Sequence, residues 1–290
     1  MSLRDLGLIL LIMAIWGLNY PIGKIGVGAV PPMMMIALRF ALVALLLLPF
    51  VTAPWGHMRR IFYLSIMIGV FHFAPNFTGL KYVDSGVAAI LNQLSVPFSS
   101  ILAAIFFKDR IGWRRALGMG LAFAGVAVLV GEPQRPTDLV GAFLMMAASL
   151  AWAISLIQTK FLKEVHPLSL VGWMTLMATP QLVVMSLLLE ERPVAAALEA
   201  GWAGWGPIVY MAIFVSIVSH SLWYSLVQRH PINVTAPFAL LTPVFGVVFG
   251  VLILAERFTW WMLAGSLITL VGVAIIAVRR PAQAMPPPER

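Results

Sequence analysis

Ten times along this chain the sequence turns apolar for about 18 to 25 residues, the length a helix needs to cross the hydrocarbon of a bilayer. In hydrocarbon every backbone N–H and C=O must find its partner inside the protein, so runs of this length are restricted to helices. The runs predict spans near 6–27, 32–51, 61–80, 84–107, 113–131, 139–159, 168–189, 206–227, 233–254 and 259–278. Proline pairs, charge clusters and polar residues punctuate the links, among them Pro31-Pro32, Thr52 to Arg60, Lys108 to Arg110, Glu132 to Asp138, Glu190 to Trp205 and Glu256-Arg257. Most links are short, which predicts that consecutive spans pack antiparallel. Only 10% of residues are charged, against roughly 25% in a soluble domain, and no segment remains that could fold in water by itself. The first run follows Arg4 as a signal peptide's would, and Val27-Gly28-Ala29 resembles a cleavage site. With no soluble mature domain behind it, that run reads as a retained helix.

Ten spans place both termini on one side of the membrane. Thirteen basic residues then fall on that side, and only Lys24, Lys81, Arg135, Arg192 and Arg257 fall opposite, with Arg39 inside a span. The positive-inside rule makes the thirteen-residue side cytoplasmic. Internal similarity points the same way. A shift of 136 superposes Trp16 on Trp152, Lys24 on Lys160 and Pro31 on Pro167. A shift of 146 superposes Phe77 on Trp223, Leu80 on Leu226 and Pro97 on Pro243, and a shift of 147 superposes Asp109-Arg110 on Glu256-Arg257 and Trp113 on Trp260. Two copies of a five-helix unit must insert with opposite orientation, because five is odd. The expected fold is an all-α polytopic membrane protein of ten transmembrane helices in two inverted five-helix repeats, 1–135 and 136–280, with a Pro-rich tail over 281–290. Inverted repeats are the architecture of secondary transporters, which bind substrate near the midplane between the halves.

Polar groups inside the spans carry the candidate chemistry. In Ala14-Ile-Trp-Gly-Leu-Asn-Tyr-Pro-Ile-Gly-Lys24 a helix sets Trp16, Asn19, Tyr20 and Gly23 on one face. A buried amide is costly in hydrocarbon, so this face should look at protein or a water-filled cavity. His72 and Asn76 stand one turn apart on the third span, Asn92 and Gln93 precede Pro97 on the fourth, and His220 and Tyr224 flank Trp223 on the eighth. Trp16, Asn19, His72, Asn76, Asn92, Trp152, Trp223 and Tyr224 are the candidate substrate-binding residues. Asn76 and Asn92 would bond amino or carboxylate groups, and the aromatic rings would give a stacking surface. For each residue singly, interhelical hydrogen bonding and packing is the competing role. Lys24 and Arg39 read as structural: Lys24 snorkels, and Arg39 pairs with carbonyls or snorkels.

What is missing narrows the chemistry further. The net charge of +8 sits in short clusters between apolar runs, where it serves topology rather than nucleic acid. There is no cysteine, every Asp and Glu lies at a helix end or in a link, and no HExxH or GxSxG occurs. No catalytic residue, cofactor or metal is expected, and the expected partners are a small-molecule substrate and the lipid bilayer. The alternatives are a membrane enzyme or scaffold on the same fold and a transporter of a different metabolite or drug.

The motifs Ala14 to Tyr20 with Lys24, Ala37-Leu-Arg-Phe40, Val96-Pro97 with Phe107-Lys-Asp-Arg110 and Trp113, and Leu241-Thr-Pro243 with Ala255-Glu-Arg-Phe-Thr-Trp260 resemble the EamA-type branch of the drug/metabolite transporter superfamily over nearly the whole chain. The resemblance implies ten helices, cytoplasmic termini, a bacterial inner membrane and export of small metabolites, often amino acids. The aromatic-rich candidate lining is similar to that of the aromatic amino-acid exporters of the YddG type. Bending at Gly17 to Gly28, Pro75 to Gly79 and Pro237 to Gly246 would gate the path.

Overall fold

The structure, a computed structural model, describes residues 2–107, 111–132, 137–230 and 235–277. The Lys108 to Arg110 link, Arg135 and the 281–290 tail lie outside the described residues. The described chain is helical almost throughout, with no strand in it. Its spans are α1 (Leu3–Ala29), α2 (Pro32–Phe50), α3 (Trp55–Tyr82), α4 (Ser85–Phe106), α5 (Trp113–Val130), α6 (Leu139–Lys160), α7 (Pro167–Leu189), α8 (Gly201–Tyr210 continuing to His220–Arg229), α9 (Phe238–Leu254) and α10 (Trp260–Ala277). All but α9 are long and apolar enough to cross a bilayer, and α9 is a shorter apolar helix. The Glu190 to Trp205 stretch is more ordered than a link. Pro193–Glu199 forms a short helix, and the Trp205 indole N–H donates to the Ala197 carbonyl at 3.0 Å, so α8 begins five residues earlier than the apolar run suggests.

Three spans are irregular in mid-course and α9 at its start, and the irregularities repeat. Residues Ile66–Phe73 of α3 and Met211–Ser219 of α8 are π-helical, and a shift of 146 carries 66–73 onto 212–219. In α4 and α9 the segments Asn92–Leu94 and Ala236–Leu240 tighten to 3₁₀ geometry. Proline supplies the reason in three of the four. Pro75 cannot donate to the Phe71 carbonyl, and the Ala74 N–H reaches back five residues to Gly69. Pro97 deprives the Gln93 carbonyl of its usual donor, and the Ser95 N–H turns to Asn92 and Gln93 instead. At Pro243 the Leu241 N–H bonds Phe238 and Ala239, the same arrangement shifted by 146.

Packing does not follow chain order, contrary to what the short links suggest. Consecutive spans touch little, while α5 packs on α10, α2 on α7, α3 on α6 and α1 on both α8 and α9. In lipid an ordinary apolar face gains nothing by leaving the hydrocarbon, so association goes to faces that admit close approach. The α5–α10 contact shows this at Gly118, Gly125, Gly265 and Gly272, which the 147 shift interchanges. A Cβ on Gly118 would stand 2.7 Å from the Gly272 carbonyl oxygen, and one on Gly265 would stand 2.8 Å from that of Gly125.

Carboxylates tie the first five spans to the last five at both ends of the bundle. At the end holding the start of α1, Asp5 meets Arg229 at 3.2 Å and His230 at 3.0 Å. At the far end Glu190 accepts the Met33 and Met34 N–H groups at 2.8 and 3.1 Å, and Glu256 accepts those of Ser85 and Gly86 at 2.6 and 3.1 Å. These are the free N–H groups of the first turns of α2 and α4, where an anion is favoured.

Candidate functional site

Trp16 leaves α1 toward α8. Its indole N–H donates to the Ser219 hydroxyl at 2.7 Å, and its ring lies tilted against His220 and Trp223 at centroid distances of 5.6 and 5.5 Å. One turn on, Tyr20 lies beside Asn92 of α4. The polar face of α1 therefore looks at protein. Lys24, at the far end of the helix, donates to the Val83 carbonyl.

The second cluster is the counterpart of the first. His72 sits within the π-helical segment of α3, its Nδ1 2.9 Å from the Ala148 carbonyl of α6 and its ring 4.9 Å from that of Trp152. The shift that maps Trp16 onto Trp152 thus relates the two tryptophans, each against a histidine of the other half, while the histidines themselves are not equivalent: the 146 shift carries His72 onto Val218. His220 stands directly after the π-helical segment of α8, with Nδ1 2.6 Å from the Val215 carbonyl. A carbonyl only accepts, so both rings donate through Nδ1.

Arg39 of α2 lies between the two π-helical segments. Only 3% of its surface is exposed. Its Nε and Nη2 reach the Ser216 hydroxyl at 3.3 and 3.0 Å, Nη1 approaches the Met211 sulfur at 3.8 Å, and the guanidinium lies 5.2 Å from the Phe73 ring centre. His72 and His220 are both within its electrostatic reach. The expectation that Arg39 pairs with carbonyls or snorkels is corrected: it contacts a hydroxyl, a thioether and a ring, deep in the bundle. The signal was in the sequence, a cation two turns inside an apolar run; its surroundings come from five other residues on two other helices. Ser216, Ser219, Phe73 and His220 likewise join the site beyond the eight candidates.

The remaining candidates are partly gathered in. Asn76 is 8% exposed, and its Oδ1 and that of Asn19 are buried with no hydrogen-bond partner. Each stands about one turn from a Trp–His contact, Asn76 from His72 and Asn19 from Trp16. The Tyr224 side chain lies outside the described residues. A polar cavity of about 620 Å³ at the far end is lined by Lys24, Asp84, Glu256 and Arg257, and an apolar groove of about 520 Å³ beside α3 and α6 is lined by residues such as Met67, Phe71 and Ile154. None of the candidates whose side chains are described lines either, and the tryptophans and His72 pack at helix crossings. Among the described residues no group of three or more His, Asp or Glu is placed to hold a metal ion.

Comparison with known proteins gives a consistent set of matches. The model of the EamA-like transporter family matches residues 5–131 and again 139–278. A protein of Salmonella typhimurium named "Probable amino-acid metabolite efflux pump" is 29% identical over 95% of both chains, as is a protein of the same name from Escherichia coli. An "Uncharacterized transporter" of Archaeoglobus fulgidus is 28% identical over 93% of this chain and 97% of its own. One crystal structure of 16% identity superposes with a TM-score of 0.63 over 95% of this chain and 96% of its own, which shows the shared fold.

Proposed function

The chain belongs to the EamA-like transporter family, a multi-pass membrane protein of duplicated architecture, and from that premise we propose that it exports small amphipathic metabolites, amino acids foremost, across a bacterial inner membrane. Both termini lie in the cytoplasm, and the halves 1–135 and 136–280 rock about a midplane site. The observation that carries the reading is the pair of Trp–His contacts, built on the repeat-related Trp16 and Trp152, on either side of Arg39 between the two π-helical segments. It supplies aromatic surface and a few oriented polar groups from both halves at one depth, the composition of a small-molecule pocket. Trp16, Asn19, His72, Asn76, Asn92, Trp152, Trp223 and Tyr224 form the lining once the halves part. The two relatives named as amino-acid metabolite efflux pumps support the solute class.

Alternating access then amounts to releasing one set of ties at a time. Asp5 with Arg229 and His230 closes the cytoplasmic end; Glu190 and Glu256 close the external end. The wide π turns and the proline-freed carbonyls are where the helices bend. Counterflow of labelled amino acids in proteoliposomes tests this reading. A carrier concentrates label against unlabelled solute inside, whereas a membrane enzyme or scaffold on the same fold leaves the gradient alone, and that outcome would overturn the proposal.

A further inference from the structure

Arg39 is a buried guanidinium whose neighbours do not account for it. Of its five N–H donors, two converge on the Ser216 hydroxyl and one points at the Met211 sulfur, leaving two without an acceptor among the described residues. No described carboxylate pairs with it; the described Asp and Glu residues lie at helix ends and in links. A hydroxyl, a thioether and an aromatic face offset the desolvation of a buried cation far less than an anion does. An ionisable group kept inside a membrane protein under those conditions marks a ligand path.

Architecture gives no reason for a cation at this place. The shift of 136 carries Arg39 of α2 onto Thr175 of α7, and α2 and α7 pack on each other across the approximate symmetry. Thr175 directs its hydroxyl to its own helix, to the Val171 and Gly172 carbonyls at 2.8 and 3.0 Å. The same position in the second half is thus filled by a small residue that satisfies itself. Arg39 is the charged departure from the symmetry, set near two histidines and the tryptophans they touch. The buried, partnerless Oδ1 atoms of Asn19 and Asn76, one turn from those surfaces, are acceptors awaiting donors.

We infer that Arg39 is the anchor for a carboxylate of the transported solute, and that the substrates are small zwitterions: the carboxylate on the guanidinium fork, the ammonium on the Asn19 and Asn76 amide oxygens, and the apolar body against Trp16 or Trp152. This deepens the exporter reading and rests on it. Arginine suits the task because its planar fork matches a carboxylate in two hydrogen bonds, which lysine cannot reproduce.

The test uses the full-length protein in nanodiscs, with tryptophan fluorescence reporting binding and counterflow measured on the same preparation. L-phenylalanine and L-leucine are each compared with their amides, which keep the ammonium and side chain and lose only the carboxylate charge. The acids should bind about ten- to a hundredfold more tightly than the amides. Arg39→Gln should erase that ratio, and Arg39→Lys should restore part of it. Since the acid-to-amide comparison needs no variant, a failure of Arg39→Gln to fold leaves it intact. Equal binding of acid and amide by the wild type, or an unchanged ratio in a folded Arg39→Gln protein, overturns the anchor while counterflow of amino acids still upholds the exporter. Absence of both binding and counterflow overturns the exporter of amino acids and the anchor together.

Discussion

At the scale of single residues, the informative groups are polar atoms that the fold buries and does not satisfy. The Asn76 amide oxygen has no partner, and such an acceptor costs about 1–3 kcal/mol when left unmet. Asn76→Ala should therefore hold or raise the melting temperature in detergent while lowering apparent affinity in transport about tenfold or more. A loss of stability with transport intact would assign Asn76 to helix packing instead. Trp16 and Trp152 separate body from hydrogen bond. Trp16→Phe gives up the N–H donated to Ser219 at a cost of about 1 kcal/mol, and Ser219 keeps its own bond to Val215. Trp16→Ala or Trp152→Ala should shift competition in counterflow toward smaller solutes; an unchanged solute spectrum in both would show that these rings pack helices and do not receive substrate.

At the scale of elements, the spans were legible because hydropathy and length decide insertion before any contact forms. Their interruptions were legible only at the prolines. Pro75, Pro97 and Pro243 announce freed carbonyls, yet nothing local distinguishes the wide turn before Pro75 from the tight one before Pro97, and the neighbouring helices settle it. Helix pairing was misread from the short links for the same reason: adjacency in the chain brings ends together, and faces choose partners. The α5–α10 contact gives the sharpest check. A Cβ at Gly272 would meet the Ala122 amide nitrogen and the Gly118 carbonyl oxygen at 2.5 Å. These are backbone atoms that cannot rotate away, so Gly272→Val should destabilise the protein by about 1–3 kcal/mol, read as a lowered detergent melting temperature. Gly120, with open space around its Cβ position, should tolerate alanine without change.

For the whole molecule, the absence of cysteine makes topology directly testable. A single cysteine at Lys24 should react with an impermeant thiol reagent from outside intact cells, and one at Lys160 only after the cytoplasmic face is opened; labelling of both from one side would refute the inverted arrangement. With every described carboxylate at a helix end or in a link, transport should run down the solute gradient without an imposed proton gradient. A strict proton requirement that vanishes in His72→Gln or His220→Gln would make those histidines the proton carriers. Hydropathy, charge bias and internal similarity, read from the sequence by themselves, carried the class, the span number and the duplication. Each is a sum over many residues or a match along the chain, and such sums survive ignorance of every contact. The environment of Arg39 did not follow from them. It depends on Phe73, Met211, Ser216 and two histidines arriving from α3 and α8, and on no carboxylate among the described residues arriving with them. Whether a buried charge is paired is a property of the space around it, which only the packed helices define.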